Sequence, residues 1–446
     1  MLGVAACVAL TGAAGCGSGE VRLLAGPDDT PQSIRLTATA IDAQTASFAW
    51  TSAGSGLSYR VERDGATLAV LEELAWTDRA RVAGRRHCWR VHARSGFGWQ
   101  ARSGEACLGT DEEVDGWRVE RLGGGRWPAI ALDASGAPHA CWTGSGGASI
   151  AWIAAGAGSA AETIDADGSG QCSLAVAADG TVHVAYLSRF GLRHAIRENG
   201  AWRAATVDAE ALAGALRTDG PALALAADGT PRIAYRRGAS GATATVAIAT
   251  RSRAGWTFDL TGIRGRVGPR SLAVGADGTH WLATTDDLGQ SAIAWRRAAP
   301  GDWTQAYRQS LAPTRGDGPP IALDADGFAR IVGWQRDAPT TTAPVTLRWA
   351  QSSAGGWRAE TVATVTGVGT RVAIGAAGDL PRLAAVEDGG VVRLYRREGG
   401  RWIAEALPGQ RGTAEGVDLA VDAAGRWRLV HDQAEDGGVL LATRSP

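Results

Sequence analysis

Aromatic side chains recur at one fixed place along this chain. Trp142, Tyr186, Tyr235 and His431 each stand six residues beyond a glycine, and Trp334 stands seven beyond another. The segments that follow them carry charge: Arg189, Arg236, Arg237, Asp286, Asp287, Arg336, Asp337, Glu387, Asp388 and Asp432. Aromatic faces beside guanidinium and carboxylate groups suit a sugar or an extended peptide, held by stacking and hydrogen bonds. Trp142, Tyr186, Tyr235, Trp334, His431, Arg189 and Arg236 are therefore the candidate ligand-binding residues. Packing between strands is the competing role for the aromatics, and solvation for the charges.

Other chemistries are poorly served. Three residues beyond the same glycines stand His139, His183, Arg232, Trp281, Arg330 and Arg428, which would ring a channel with donors. His139 and His183 make a metal site only with a carboxylate that the pattern does not supply. The runs DADG at 165–168 and LDADG at 323–327 lack the further ligands at fixed offsets that calcium needs, and read as turns. The chain holds no lysine, so Schiff-base and P-loop chemistry are closed to it. No Ser–His–Asp order, nucleophile elbow or phosphate loop stands in a fitting context. The expectation is no catalytic residue, no metal and no cofactor.

The elements that position these residues follow from the glycines themselves. Gly136, Gly180, Gly229, Gly278, Gly327, Gly378 and Gly425 are spaced by 44, 49, 49, 49, 51 and 47 residues. Most follow aspartate, and each lies between two short alternating apolar runs, as in SLAVAADGTVHVAY around Gly180. Alternation of period two marks half-buried strands, and an Asp-Gly step between them marks a tight hairpin. In the second repeat, four strands are expected over 173–177, 181–186, 192–198 and 202–207. A period in the forties with four strands per unit predicts an all-β fold, a seven-bladed β-propeller. The outer strand of most repeats opens on tryptophan: Trp202, Trp256, Trp303, Trp357 and Trp402. The seventh repeat lacks a fourth strand, but GWRVERL from Gly116 matches it with Trp117 in register. The ring is expected to close through 117–122, since otherwise two sheet edges would stay unpaired.

Two resemblances concern the chain ahead of the ring. The opening MLGVAACVALTGAAGCGSGE resembles a bacterial lipoprotein signal, with Ala13-Ala14-Gly15-Cys16 as the lipobox. That resemblance implies a signal peptide over 1–15, lipidation of Cys16, a linker over 16–30, and an exported protein held at the outer membrane or cell surface. Residues 31–110 resemble a fibronectin type III domain, on the strands SFAWTS, LSYRVERDG, AWTD and HCWRVHARSGFGW. His87 stands where that family usually places its corner tyrosine. The propeller would then occupy 111–446.

Composition agrees with export. The net charge is −1, from 45 basic and 46 acidic side chains spread evenly, which gives nucleic acid no basic face. Four cysteines lie beyond the signal: Cys88, Cys107, Cys141 and Cys172. They allow three pairings, and an even count suits an oxidising compartment. Cys88 and Cys107 bracket the last hairpin of the first domain. Cys141 and Cys172 fall at the same end of adjacent blades.

The function this pattern supports is non-catalytic recognition of a carbohydrate or protein at the propeller's loop face. The alternatives are a secreted glycoside-acting enzyme resembling the sialidase-like propellers, and a structural component of the cell envelope.

Overall fold

The structure, a computed structural model, describes residues 18–22, 33–40, 46–79, 87–95, 98–108, 112–114, 116–155, 160–211, 220–238, 243–298, 301–310, 318–336, 344–365, 371–375, 381–433 and 437–444. Cys16, the lipobox and Gly378 lie outside the described residues. The chain divides into two compact units, Met1–Glu120 and Arg121–Pro446.

The first unit contains two antiparallel sheets. Ser18–Arg22, Ser33–Ala40, Ala46–Trp50 and Ala75–Asp78 make one. Ala66–Leu71, Ser58–Arg63, His87–Ser95 and Gly98–Arg102 make the other, with Ala106–Leu108 paired to His87–Ser95. Alternation sends His87, Trp89, Val91 and Ala93 inward, where Phe48, Trp50, Tyr59 and Val61 join Trp89 in one apolar cluster. Phe48 and Trp89 lie 4.7 Å apart between ring centroids. The buried Asp78 accepts from Trp89 Nε1 at 3.0 Å and from Arg63 at 2.9 Å. His87 is buried, with Nδ1 2.6 Å from the Asp64 carboxylate. Cys88 is disulfide-bonded and stands opposite Cys107 in register.

The second unit is a β-propeller of small antiparallel sheets. Four of these have four strands each, and they coincide with repeats two to five. Repeat two, for instance, runs Gly168–Val176, Val182–Ser188, Gly191–Glu198 and Ala201–Asp208. Repeats six, seven and one merge into a single larger sheet because two strands serve twice. Arg401–Val421 ends the sixth repeat and opens the seventh; Trp117–Leu132 lies beside Gly438–Arg444 and also opens the first. Trp117 is buried, at 1% exposure.

The hairpin turns explain an irregularity of the repeat. In each described case the glycine has φ near +80° and its N–H bonds the carbonyl three residues back, as Gly180 does to Ala177 at 2.9 Å. Ala177 N–H in turn donates to Thr181 at 2.9 Å. This is a type I turn closed by a left-handed glycine, one residue wider than the two-residue hairpin expected from Asp-Gly. One aspartate fastens it, from either of two positions. Asp179, Asp228 and Asp277 accept the N–H two residues on, each at 2.9 Å. Repeats one, five and seven use Asp133, Asp324 and Asp422, three places before the glycine.

Adjacent repeats are joined by a recurring clamp. A carboxylate on one outer strand accepts from both the arginine and the tryptophan of the next repeat. Glu162 holds Arg197 at 2.8 Å and Trp202 Nε1 at 3.0 Å; Glu360 holds Arg397 and Trp402 Nε1, both at 3.1 Å. Asp259 holds Arg297 together with Trp303, and Glu405 holds Arg444. A disulfide between Cys141 and Cys172, Cα atoms 6.4 Å apart, fixes repeat one to repeat two. At the centre, inner strands of all the repeats surround a cavity of about 430 Å³ lined by Leu132, Val176, Ala224, Val274, Leu323, Ile374 and Val421 among others.

Candidate functional site at the channel mouth

The inner strands start at the end of the channel away from the Asp-Gly turns, and charged residues gather where they start. Arg270 ahead of Leu272–Val274 reaches Asp418 in the opening strand of repeat seven. Its Nε lies 3.1 Å from both carboxylate oxygens and its Nη2 lies 2.9 Å from Oδ2. Asp418 also accepts from the backbone of Ile130 at 2.9 Å and of Leu419 at 3.0 Å, and Arg270 donates onward to the Ile130 carbonyl. Arg371, at the head of repeat six, donates to Gln171 Oε1 of repeat two at 3.0 Å. Arg270 lines the apolar channel on one side and a smaller cavity on the other, so the ion pair stands between them.

Serines tie the surrounding backbone. Ser173 donates to Pro269 O at 2.7 Å and accepts from Leu223 N at 2.9 Å, linking repeats two, three and four. Ser271 donates to Pro319 O at 3.1 Å, linking four and five. Gly318 sits so close that a Cβ there would meet Ser271 Oγ at 2.5 Å and Arg266 O at 2.7 Å. Only glycine lets these two repeats approach.

The smaller cavity, of about 50 Å³, is bordered by Arg270, Arg371, Asp418, Thr285, Trp334 and the run Gly318-Pro319-Pro320. That is room for one functional group or one or two waters. Two of its bordering residues carry buried polar atoms without a partner among the described residues, the Trp334 indole N–H and the Thr285 hydroxyl. Such groups carry a desolvation cost of about 1–3 kcal/mol each until something accepts from them. The bordering residues thus include an indole and a hydroxyl in want of a partner, with Arg270 engaged by Asp418 and Arg371 by Gln171.

Trp334 alone among the candidate ligand-binding residues borders this cavity. Trp142 is buried, its Nε1 donating to Gly124 O at 3.1 Å, and its ring packs where Gly123 and Gly125 leave no room for a Cβ. Tyr186 donates to Asp165 at 2.7 Å and Tyr235 to Asp208 at 2.5 Å, each reaching the acid that closes the preceding repeat. Burial, then the neighbouring acid, raises both phenols well above their ordinary range, so neither is a ready nucleophile. His431 is fully buried, with Nδ1 donating to Asp432 O at 3.1 Å, and burial lowers its pKa to about 4. Arg236 is buried on the strand Pro231–Arg237. Arg189 is exposed, pairs with Asp167 at 3.1 Å, and lies over the Phe190 ring at 4.7 Å. Tyr186 and Tyr235 thus join one repeat to the next, while Trp142 and His431 are buried within the strands.

Asp432 is the second acid of this region. Burial raises its pKa, while Thr413 Oγ1 at 2.5 Å and Trp127 N at 3.3 Å support the carboxylate. Among the described residues no group of three or more His, Cys, Asp or Glu is placed to hold a metal ion.

Arg270, Arg371 and Asp418 escaped sequence reasoning, although a signal existed. They precede their turn glycines by seven or eight residues, in a column that otherwise holds only uncharged residues such as Ala129, Ser173, Ala222, Ser271 and Pro320. A charge in a column that is otherwise uncharged was the signal available.

No protein-family model matches the chain, and no curated protein matches it. Among solved structures it is similar to virginiamycin B lyase from Staphylococcus aureus, with a TM-score of 0.49 and 14% identity over 74% of this chain and 100% of that one. It is similar also to AofleA from Arthrobotrys oligospora, with a TM-score of 0.43 and 15% identity over 65% of this chain and 89% of that one. A third is Aleuria aurantia lectin in complex with Fucα1-6GlcNAc, with a TM-score of 0.44 and 13% identity over 63% of this chain and 95% of that one. At such scores the likenesses carry no argument about ligand or site.

Proposed function

We propose that the protein is a non-catalytic recognition module that binds a carbohydrate or protein ligand at the channel mouth of a seven-bladed propeller. The observation that carries this reading is the pair of unpartnered buried donors, Trp334 Nε1 and Thr285 Oγ1, beside two guanidinium groups. Two donors in want of an acceptor would take one from a ligand: a carboxylate, a carbonyl or a sugar oxygen. Hydrolysis would need an acid turned toward the ligand. Asp418 instead accepts from Arg270 and two backbone N–H groups, and Asp432 from Thr413 and Trp127, which favours binding over a glycoside-acting enzyme.

Seven blades are supported by the seven repeats whose inner strands border the central cavity, and closure by the double use of Trp117–Leu132. Two facing sheets and a Trp89-centred core support a fibronectin type III-like domain over 31–110, with the propeller from 111 to 446. The Cys141–Cys172 disulfide supports an oxidising compartment. Lipidation at Cys16, with attachment to the outer membrane or cell surface, rests on the lipobox. The test is a glycan-array and envelope pull-down screen comparing the full chain with Trp334→Phe and Thr285→Val. Loss of a captured ligand in both variants, with melting temperature retained, supports the mouth. Undiminished capture rejects it.

A further inference from the structure

We propose a second binding site, for an acidic sugar, in the groove between repeats four and five at the turn end of the ring. It is separate from the channel mouth and does not depend on it.

The groove exists because the clamp between repeats is missing there. The clamp needs a carboxylate three residues beyond the outer-strand tryptophan, as in Asp259, Glu360 and Glu405, and an arginine opposite the next tryptophan, as in Arg197 opposite Trp202. Between repeats four and five both positions hold small residues. Ala306 follows Trp303 in place of the acid, and Ser352 stands opposite Trp357 in place of the arginine. Repeats two and three also lack the acid, at Ala205, but His194 packs edge-on to Trp256 at 5.2 Å and occupies that junction. Between four and five a cavity of about 660 Å³ remains. That volume falls in the range of ~300–1,000 Å³ usual for small-molecule sites.

Its walls have the chemistry of a sugar acid. Trp281 and Trp357 meet at 76°, centroids 5.9 Å apart, and Tyr307 stacks on Trp357 at 4.6 Å, so the indoles are held rigidly before any ligand arrives. Elsewhere the clamp carboxylate accepts the outer-strand indole N–H; the Trp357 N–H has no protein acceptor among the described residues. Arg296 lies over Trp281, its Cζ 5.7 Å from the centroid, and forms no ion pair among the described residues. A carboxylate supplied by a ligand would take the place of the absent Asp or Glu, accepting from Trp357 and facing Arg296. Asp326, exposed at the rim, supplies an acceptor for hydroxyl donors, whereas Asp277 is held by Thr279 N at 2.9 Å and Thr279 Oγ1 at 2.7 Å, and Asp324 by Arg330 at 3.3 Å and Gln351 at 3.0 Å. One carboxylate, several hydroxyls and an apolar ring face together describe a hexuronate, and they exclude a purely anionic ligand.

The experiment is titration of the full chain with methyl glucuronide and trigalacturonate, and with their neutral methyl glucoside and α-1,4-galactotriose counterparts, followed by calorimetry and tryptophan fluorescence. The acidic sugars are expected to bind and the neutral ones to bind about ten-fold more weakly or not at all. Ala306→Glu rebuilds the clamp carboxylate inside the protein and is expected to abolish binding while keeping or raising the melting temperature. Trp357→Phe keeps the ring, removes the N–H, and is expected to weaken the acidic sugars about ten-fold and leave the neutral ones unchanged. Equal affinity for acidic and neutral sugars, no binding of either, or unaltered uronate binding by both variants would overturn the proposal and leave the channel-mouth reading standing.

Discussion

Arg270 and Asp418, 148 residues apart in sequence, meet through three contacts of 2.9–3.1 Å where the inner strands begin. Neither repeat needs the pair for its own sheet; its place is between repeats. Asp418 is 3% exposed, so removing its partner strands a buried charge. Arg270→Met is expected to cost about 3 kcal/mol, the low end for such a pair because Arg270 is itself partly exposed. Arg270→Met with Asp418→Asn is expected to recover part of that loss. Guanidinium unfolding of both variants is the measurement, and equal stability of all three proteins would refute a coupling across the channel.

The repeat-to-repeat clamp is expected to be worth less. Glu360→Ala removes two acceptor contacts from Arg397 and Trp402 at a half-buried position. A loss of about 1 kcal/mol is expected, with a shift of tryptophan emission as the Trp402 N–H turns to water. Denaturant titration followed by fluorescence reads both at once.

Stability should fall on acidification. Burial lowers His183, takes His194 to about 3, and takes His431 to about 4. Each folded value lies below the unfolded value of about 6.5, so the unfolded chain binds more protons below that pH. The stabilisation is complete above about pH 6.5 and is lost as pH falls toward the folded values. At pH 5, His194 and His431 should each cost about 2 kcal/mol. Asp432 works the other way, since its raised pKa means that protonation relieves it. Melting temperatures from pH 7.5 to 5 test the balance, and His194→Phe should flatten the slope by about one proton.

Breaking the Cys141–Cys172 bridge, which joins positions 31 residues apart, should cost about 3 kcal/mol. Melting the Cys141→Ser, Cys172→Ser protein against the parent should show a drop of several degrees.

The repeat period and the alternation of apolar residues made the four-stranded sheets legible, because both reflect covalent geometry: side chains on a strand face alternate sides, and a left-handed turn position favours glycine. Gly180 and Thr181 show it directly. The site was less legible. Tyr186 and Tyr235 look the same in sequence whether they face a ligand or an acid in the preceding repeat, since their partners Asp165 and Asp208 lie in a different repeat. Alternation tells which face of a strand a residue occupies, but not what meets that face. The absence of a clamp at Ala306 could be read only once Glu162, Asp259 and Glu360 had been seen to share one task.

Arg401–Val421 runs 21 residues without interruption from an outer edge to the axis, whereas repeats three and four are joined by an irregular passage over residues 261–271. The molecule thus has a welded sector and a jointed one. A nick in a joint leaves intact sheets on both sides, but a nick in the weld wounds two sheets together.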